Sequence, residues 1–203
     1  MKDFWDDKYN TNKYLYGIEP NQYFKSIVDS NKLSGKILCV AEGEGRNAVY
    51  AAKKGLEVCA FDISKVAKTK ALKLAKEHNV TIDYKVNSIE DLTYKINSFD
   101  SVLLTYAHFD KNKRKLYHQI LSLFLKNGGK VILEAFSKKN LTYKKNNSGI
   151  GGPDNINMLY TIDQIKDDFK DFKIIELKEE EVLLNEGSLH NGLGKLIRFY
   201  AEK

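Results

Sequence analysis

From Lys36 to Glu134 the chain alternates between short apolar runs and longer segments of mixed polarity. The runs at 36–41, 57–62, 81–86, 100–106 and 129–135 read as strands. Segments 45–54, 64–78 and 112–126 read as helices, with a short turn near 88–93. In the last of these helices Leu116, Ile120, Leu123 and Phe124, with Leu121 beside them, are expected to form one apolar face. Gly55 and Asn127-Gly128-Gly129 supply stop signals. Strands and helices alternating at this spacing predict an α/β fold, with a parallel sheet covered on both faces.

The two ends of the chain behave differently. Residues 1–19 carry Phe4, Trp5, Tyr9, Tyr14 and Tyr16 among Asp, Asn and Lys, without clear periodicity. So many aromatics predict an ordered arm rather than a disordered tail. Pro20 suits the first turn of a helix running to about Asn31, with Phe24, Ile27 and Val28 on one face. Segment 137–158 is polar and glycine-rich, and reads as a long loop of functional or mobile character. A short helix at 161–169 and two strands at 172–184 and 193–201 follow. Those strands predict an antiparallel hairpin joined by a long connection, Asn185 to Gly192.

Composition narrows this picture only a little. A chain of 203 residues, 42% hydrophobic and 30% charged, is expected to form one domain, 1–203. Within it, 1–33 would be an arm and helix, 36–136 a cofactor-binding core, and 137–203 a substrate loop and closing hairpin. The N-terminus lacks the apolar segment of a signal peptide and no run approaches a membrane span, so a cytoplasmic protein is expected. Cys39 and Cys59 fall in apolar strands and read as reduced core residues. The net charge of +6 is carried almost wholly by dispersed lysines, Arg46, Arg114 and Arg198 being the only arginines. That pattern suits a solvated surface and argues against a nucleic-acid partner. No Cys/His cluster has metal-ligand spacing, so no metal is expected.

The chemistry concentrates where the first strand meets the first helix of the alternating region. Gly43-Glu-Gly-Arg-Asn-Ala48 fits a loose G-x-G-x-x-G/A turn, and Asp62 ends the next strand 19 residues after Gly43, where a ribose-binding acid belongs. NAD and S-adenosylmethionine both offer a ribose to such an acid. NAD would set a pyrophosphate against Glu42 and Glu44, which flank Gly43, at a cost in like-charge repulsion. S-adenosylmethionine carries a sulfonium and an ammonium there instead, and the charge pattern favours it.

Residues 36–136 resemble the class I S-adenosylmethionine-dependent methyltransferases. Ile37-Leu-Cys-Val-Ala-Glu-Gly-Glu-Gly45 is similar to that family's first motif, with Cys39 in place of its acid and Ala41 in place of its first glycine. Phe61-Asp62-Ile-Ser64 resembles the second, which implies Asp62 on the ribose hydroxyls and Ile63 beside the adenine. Asn87-Ser88-Ile89 stands where the family contacts the adenine edge, and Thr105-Tyr106 where it lines the reacting methyl. Leu125-Lys-Asn-Gly-Gly129 resembles the family's approach to the fifth strand. The resemblance implies a Rossmann-like, mostly parallel seven-stranded sheet with a C-terminal antiparallel hairpin. It makes Tyr16, Ala41, Glu42, Gly43, Arg46 and Asn47 further cofactor candidates.

A closer resemblance reaches the ends. Tyr16-Gly-Ile-Glu-Pro-Asn21, the Gly-Arg-Asn-Ala helix start, Gly151-Gly-Pro153 and the ending with Glu186-Gly, His190 and Arg198 are similar to the small tellurite-resistance and thiopurine-type methyltransferases. This implies methyl transfer to a small nucleophile (a thiol, a chalcogen oxyanion or similar), with Trp5, Tyr9 and Tyr16 in a lid. His190 and His108 are candidates for base or substrate contact, and Arg198 for an anionic-substrate contact or a plain ion pair. His78 and His118 sit within helical patterns and read as structural. The alternatives are a non-catalytic module of the same fold, suggested by Cys39 and Ala41, and an NAD-linked oxidoreductase.

Overall fold

A computed structural model describes residues 1–203. Seven strands form one sheet: β1 (Lys36–Val40), β2 (Glu57–Asp62), β3 (Asp83–Val86), β4 (Phe99–Thr105), β5 (Leu125–Phe136), β6 (Lys173–Glu186) and β7 (His190–Glu202). Their order is β3-β2-β1-β4-β5-β7-β6, parallel from β3 to β5, with β7 antiparallel to both β5 and β6. This is the Rossmann-like, mostly parallel seven-stranded sheet with a C-terminal antiparallel hairpin that the resemblance implies.

Alternation within each strand builds the two core layers. Leu38, Val40, Cys59, Phe61, Val102, Leu104, Val131 and Leu133 face one side of the sheet. There they pack against α5 (Lys111–Phe124) and α7 (Ile162–Asp168). Ile37, Cys39, Val58, Ala60, Leu103 and Ile132 face the other side. That side is covered by α2 (Gln22–Asp29), α3 (Arg46–Lys53) and α4 (Lys65–Glu77). Cys39 and Cys59 are free and buried, as expected. No helix is long and apolar enough to cross a membrane.

Several local expectations need correction. The arm contains a helix, α1 (Lys2–Tyr9), which has little amphipathic pattern because only Tyr9 is buried from it. Segment 137–158 is not structureless: it holds α6 (Asn140–Asn146) and single 3₁₀ turns at Ser148–Ile150 and Ile156–Met158. The hairpin connection is tight rather than long, with β6 reaching Glu186 and β7 starting at His190. Asn127-Gly128-Gly129 does not follow a helix end directly but lies inside β5. The buried face of α5 is formed by Arg114, His118, Leu121 and Phe124, while Leu116 and Leu123 are half exposed to solvent. That face accepts polar groups because each is satisfied. Arg114 donates to the Leu159 carbonyl at 2.9 Å, and His118 Nδ1 meets Asp168 at 2.8 Å.

Running outward from β1 to β3 and then back across to β4, the chain creates a crevice at the carboxyl ends of β1 and β4. Open α/β sheets bind ligands at such a switch point.

Candidate active site

At the end of β1 the backbone turns through three left-handed residues, Ala41 (φ 49°), Gly43 (φ 61°) and Gly45 (φ 91°). Glycine adopts this region freely, whereas Ala41 does so at a cost of about 1–2 kcal/mol. Strain of this kind persists where surrounding contacts impose it. Gly45 is needed for a second reason, since a Cβ there would lie 2.6 Å from Cβ of Ala71 in α4.

Asp62 closes the turn from the next strand. Its carboxylate accepts from Gly43 N at 3.0 Å and from Ser64 N at 2.9 Å. Burial pushes its pKa up against those two hydrogen bonds. Tyr84 donates to the Gly43 carbonyl at 2.6 Å, and Asn87 N donates to the Asp62 carbonyl at 3.0 Å. Ile63 and Ser88 are half-buried beside these groups, Ser88 bonding to Asp91 at 2.7 Å, whereas Ile89 is buried in the core.

Both glutamates of the turn are engaged by groups of the protein itself. Glu42 accepts from Asn47 N at 2.9 Å and Ala48 N at 2.8 Å, capping the start of α3. Burial raises its pKa to about 7. Glu44 pairs with Lys70 of α4 and accepts from Leu15 N at 2.8 Å, tying down the arm.

Arg46 and Asn47, expected at the cofactor, are both engaged by other parts of the chain. Arg46 Nη2 donates to Glu186 Oε2 at 2.9 Å, and the Asn47 side chain accepts from Asn21 N at 2.8 Å. Around them lies a buried polar cluster drawn from six parts of the chain. Asn21 Nδ2 donates to Glu134 at 2.6 Å and to Glu186 at 3.1 Å. Tyr106, at the end of β4 with φ 53°, donates to Glu134 at 2.9 Å. His190 Nδ1 stands 3.2 Å from Glu186 Oε2. The His190 ring is boxed by Tyr16, Tyr106 and Phe136, at centroid distances of 4.6, 4.4 and 5.3 Å. Burial opposes ionisation of Glu186, yet His190 and Arg46 outweigh it and hold its pKa at about 2. Burial lowers the His190 pKa, with Glu186 opposing.

The two other catalytic candidates are committed elsewhere. His108 Nδ1 meets the Met158 carbonyl at 2.9 Å and Nε2 accepts from Phe136 N at 3.3 Å, so neither nitrogen is left for a substrate. Burial lowers its pKa to about 4. Arg198 donates to Glu134 at 2.5 Å and to Glu180 at 2.6 Å, which is the ion-pair reading rather than an anion contact. His78 merely ends α4.

Two segments cover the crevice. From the N-terminal side, Asp6 accepts from the Ser64 hydroxyl at 2.6 Å, Tyr9 lies against Gly43, and Trp5 stacks on Tyr9 at 5.4 Å. From the 137–158 side, a Cβ on Gly151 would stand 2.4 Å from the His190 ring, and one on Gly152 2.9 Å from Phe136. Sequence reading missed Asn21, Glu134 and Glu186 as members of the cluster. Glu134 carries a usable signal, a lone charge in the apolar run Val131–Phe136. Glu186 carries another, its spacing of four from His190.

The crevice suits S-adenosylmethionine on structural grounds. Asp62 offers a buried carboxylate at the end of β2, the left-handed turn brings backbone close, and Thr105 Oγ1 is buried at the end of β4 without a hydrogen-bond partner.

A sequence family described as a methyltransferase domain matches residues 37–129. A demethylmenaquinone methyltransferase of Renibacterium salmoninarum is 29% identical over 129 residues, covering 63% of this chain and 53% of that protein. The chain thus aligns with about half the length of this curated relative. Among solved structures, one from work on conversion of a disulfide bond into a thioacetal group in echinomycin biosynthesis superposes with a TM-score of 0.81 at 17% identity. That superposition covers 100% of this chain and 92% of the other. Magnesium protoporphyrin IX methyltransferase of Synechocystis PCC 6803 with bound SAH superposes with a TM-score of 0.69 at 16% identity, over 100% and 97% of the chains. Residues 37–129 are thus similar to a methyltransferase domain, and the whole chain shares the fold of these solved structures.

Proposed function

We propose that this chain, acting as one domain, transfers a methyl group from S-adenosylmethionine to a small-molecule nucleophile, in the manner of the tellurite-resistance and thiopurine-type enzymes. The observation that carries the reading is the position of the His190 box. It lies beside Tyr106 at the end of β4, next to the crevice that Asp62 and the glycine turn define. A cofactor end and an acceptor end thus meet at one switch point.

When bound, the cofactor supplies a methyl carbon activated by its sulfonium. The protein's own share is orientation and exclusion of water. Asp62 would hold the ribose hydroxyls, with Ala41 and Gly43 lining the methionine end and Ile63, Asn87 and Ser88 the adenine side. Thr105 and Tyr106 would line the reacting methyl, and Tyr16 and Phe136 would pack against the acceptor. The arm and the 149–153 loop would close over both. The compactness of the aromatic box supports a small acceptor rather than a macromolecule.

Calorimetry with S-adenosylhomocysteine, followed by mass spectrometry of methyl transfer to a panel of thiols, hydroxyls and chalcogen oxyanions, tests the proposal. Saturable binding with turnover of one acceptor class is expected. Absence of binding at millimolar ligand would overturn it, and binding without turnover of any acceptor would favour a non-catalytic module.

A further inference from the structure

Resting on the methyltransferase reading, we propose that Glu186 is a positioning residue for His190. Held by Arg46, it would fix Nε2 of His190 as the proton acceptor for an uncharged, protic nucleophile such as a thiol or hydroxyl.

Glu186 and His190 face each other across the β6–β7 turn, with Oε2 at 3.2 Å from Nδ1. An ionised carboxylate only accepts hydrogen bonds, so Nδ1 must donate and carry the proton. In the neutral ring Nε2 is then left with its lone pair. Arg46 donates to the same Oε2 at 2.9 Å, and both side chains of this pair are nearly inaccessible, at 7% and 6%. The guanidinium keeps Glu186 ionised and fixes the direction of its oxygen. Asn21 occupies the other oxygen at 3.1 Å, so the carboxylate cannot swing away. Nδ1 is therefore committed, while Nε2 points to the side where Gly151 covers the ring.

The charges around the box indicate what can enter it. Arg46 is paired with Glu186, and Arg198 with Glu134 and Glu180. No guanidinium in the cluster is left to compensate an incoming anion, and the Lys8 ammonium of α1 stays on the outer side, 5.8 Å from the Tyr16 ring centroid. An acceptor X–H that arrives neutral and ionises only as it reacts avoids that cost. In the step the acceptor's electron pair forms the X–C bond to the methyl. The C–S bond breaks with its pair returning to sulfur, which neutralises the sulfonium. The X–H proton passes to Nε2, giving an imidazolium beside Glu186 that later releases the proton to water.

Nitrogen-15 NMR of histidine-labelled protein tests the positioning without cofactor, the His190 signals being identified by their loss in His190→Gln. The expected wild-type state has Nδ1 protonated and Nε2 bare. Finding Nε2 protonated overturns the proposal, and this result needs no variant to fold. In Glu186→Gln the two tautomers should mix. The kcat for a neutral acceptor should fall about 10- to 100-fold, as when an orienting partner is lost, with S-adenosylhomocysteine affinity within about twofold of wild type. Unchanged kcat and an unchanged spectrum overturn it, as would oxyanion turnover that survives His190→Gln while neutral acceptors are ignored. Absent cofactor binding would instead defeat the methyltransferase reading, while the tautomer measurement would still decide how Glu186 holds the His190 ring.

Discussion

The hydroxyl of Tyr9 lies over the Cα of Gly43, 2.7 Å from where a Cβ on that glycine would stand. The arm therefore rests on the turn that a cofactor must approach, and Trp5 stacks on the same tyrosine. Trp5 is the only tryptophan in the chain. Titration with S-adenosylhomocysteine is expected to change its fluorescence in a saturable way, at the affinity found by calorimetry. Binding with no change in emission would show that the arm stays in place. Gly43→Ala adds a Cβ at positive φ and into Tyr9, and should cost about 1–2 kcal/mol of stability from the backbone alone, measured by thermal unfolding.

Asp62→Ala should weaken S-adenosylhomocysteine binding about 10- to 100-fold, the worth of charged hydrogen bonds at about 1.5–3 kcal/mol. It also frees the Gly43 and Ser64 N–H groups. Asp62→Asn keeps one acceptor oxygen and should lose less. Calorimetry on both variants decides whether the ribose assignment holds.

Glu42 gives a pH signature with a definite sign. Its folded pKa of about 7 lies above the ordinary 4.5, because burial disfavours the charge. The folded state then holds more protons than the unfolded state between those values, so stability falls as pH rises from 4.5 to 7. Glu42→Gln keeps an oxygen for the Asn47 and Ala48 N–H groups and buries no charge. It should remove this slope and leave the protein at least as stable at neutral pH, in denaturant titrations across the window.

Arg198 should matter to the fold first. Replacing it with Met leaves Glu134, with a side chain only 2% accessible, without its guanidinium. Breaking a buried pair from one side costs about 3–5 kcal/mol. The double variant Arg198→Met, Glu134→Met should recover much of that loss. Equal instability of the double variant would show that Glu134 serves the fold through Asn21 and Tyr106 instead.

The parallel core was legible because its strands are short apolar runs separated by helices, a pattern that survives without tertiary information. Asp62 was legible for the same reason, standing at the end of such a run. The acceptor cluster was not. Asn21, Arg46, Glu134 and the Glu186–His190 pair lie far apart in sequence, and only the sheet order brings β5 beside β7 and the hairpin turn over α3. The partners of Glu42 and Glu44 were not legible either, because a carboxylate beside a glycine turn can serve a helix end or a lysine as readily as a ligand. Helix α1 escaped notice since only Tyr9 of it is buried, leaving no apolar stripe to read.

The seat of the arm has a consequence for the order of assembly. Ser188 N donates to the Leu15 carbonyl at 3.0 Å, and a Cβ on Gly187 would strike that same oxygen at 2.4 Å. The hairpin that receives the arm is made more than 170 residues after it. Contacts of such separation form late, because loop closure must precede any gain from them. A growing chain can thus complete the layers around β1 to β4 while the cluster around His190 is still open, and the arm is among the last segments to find its place.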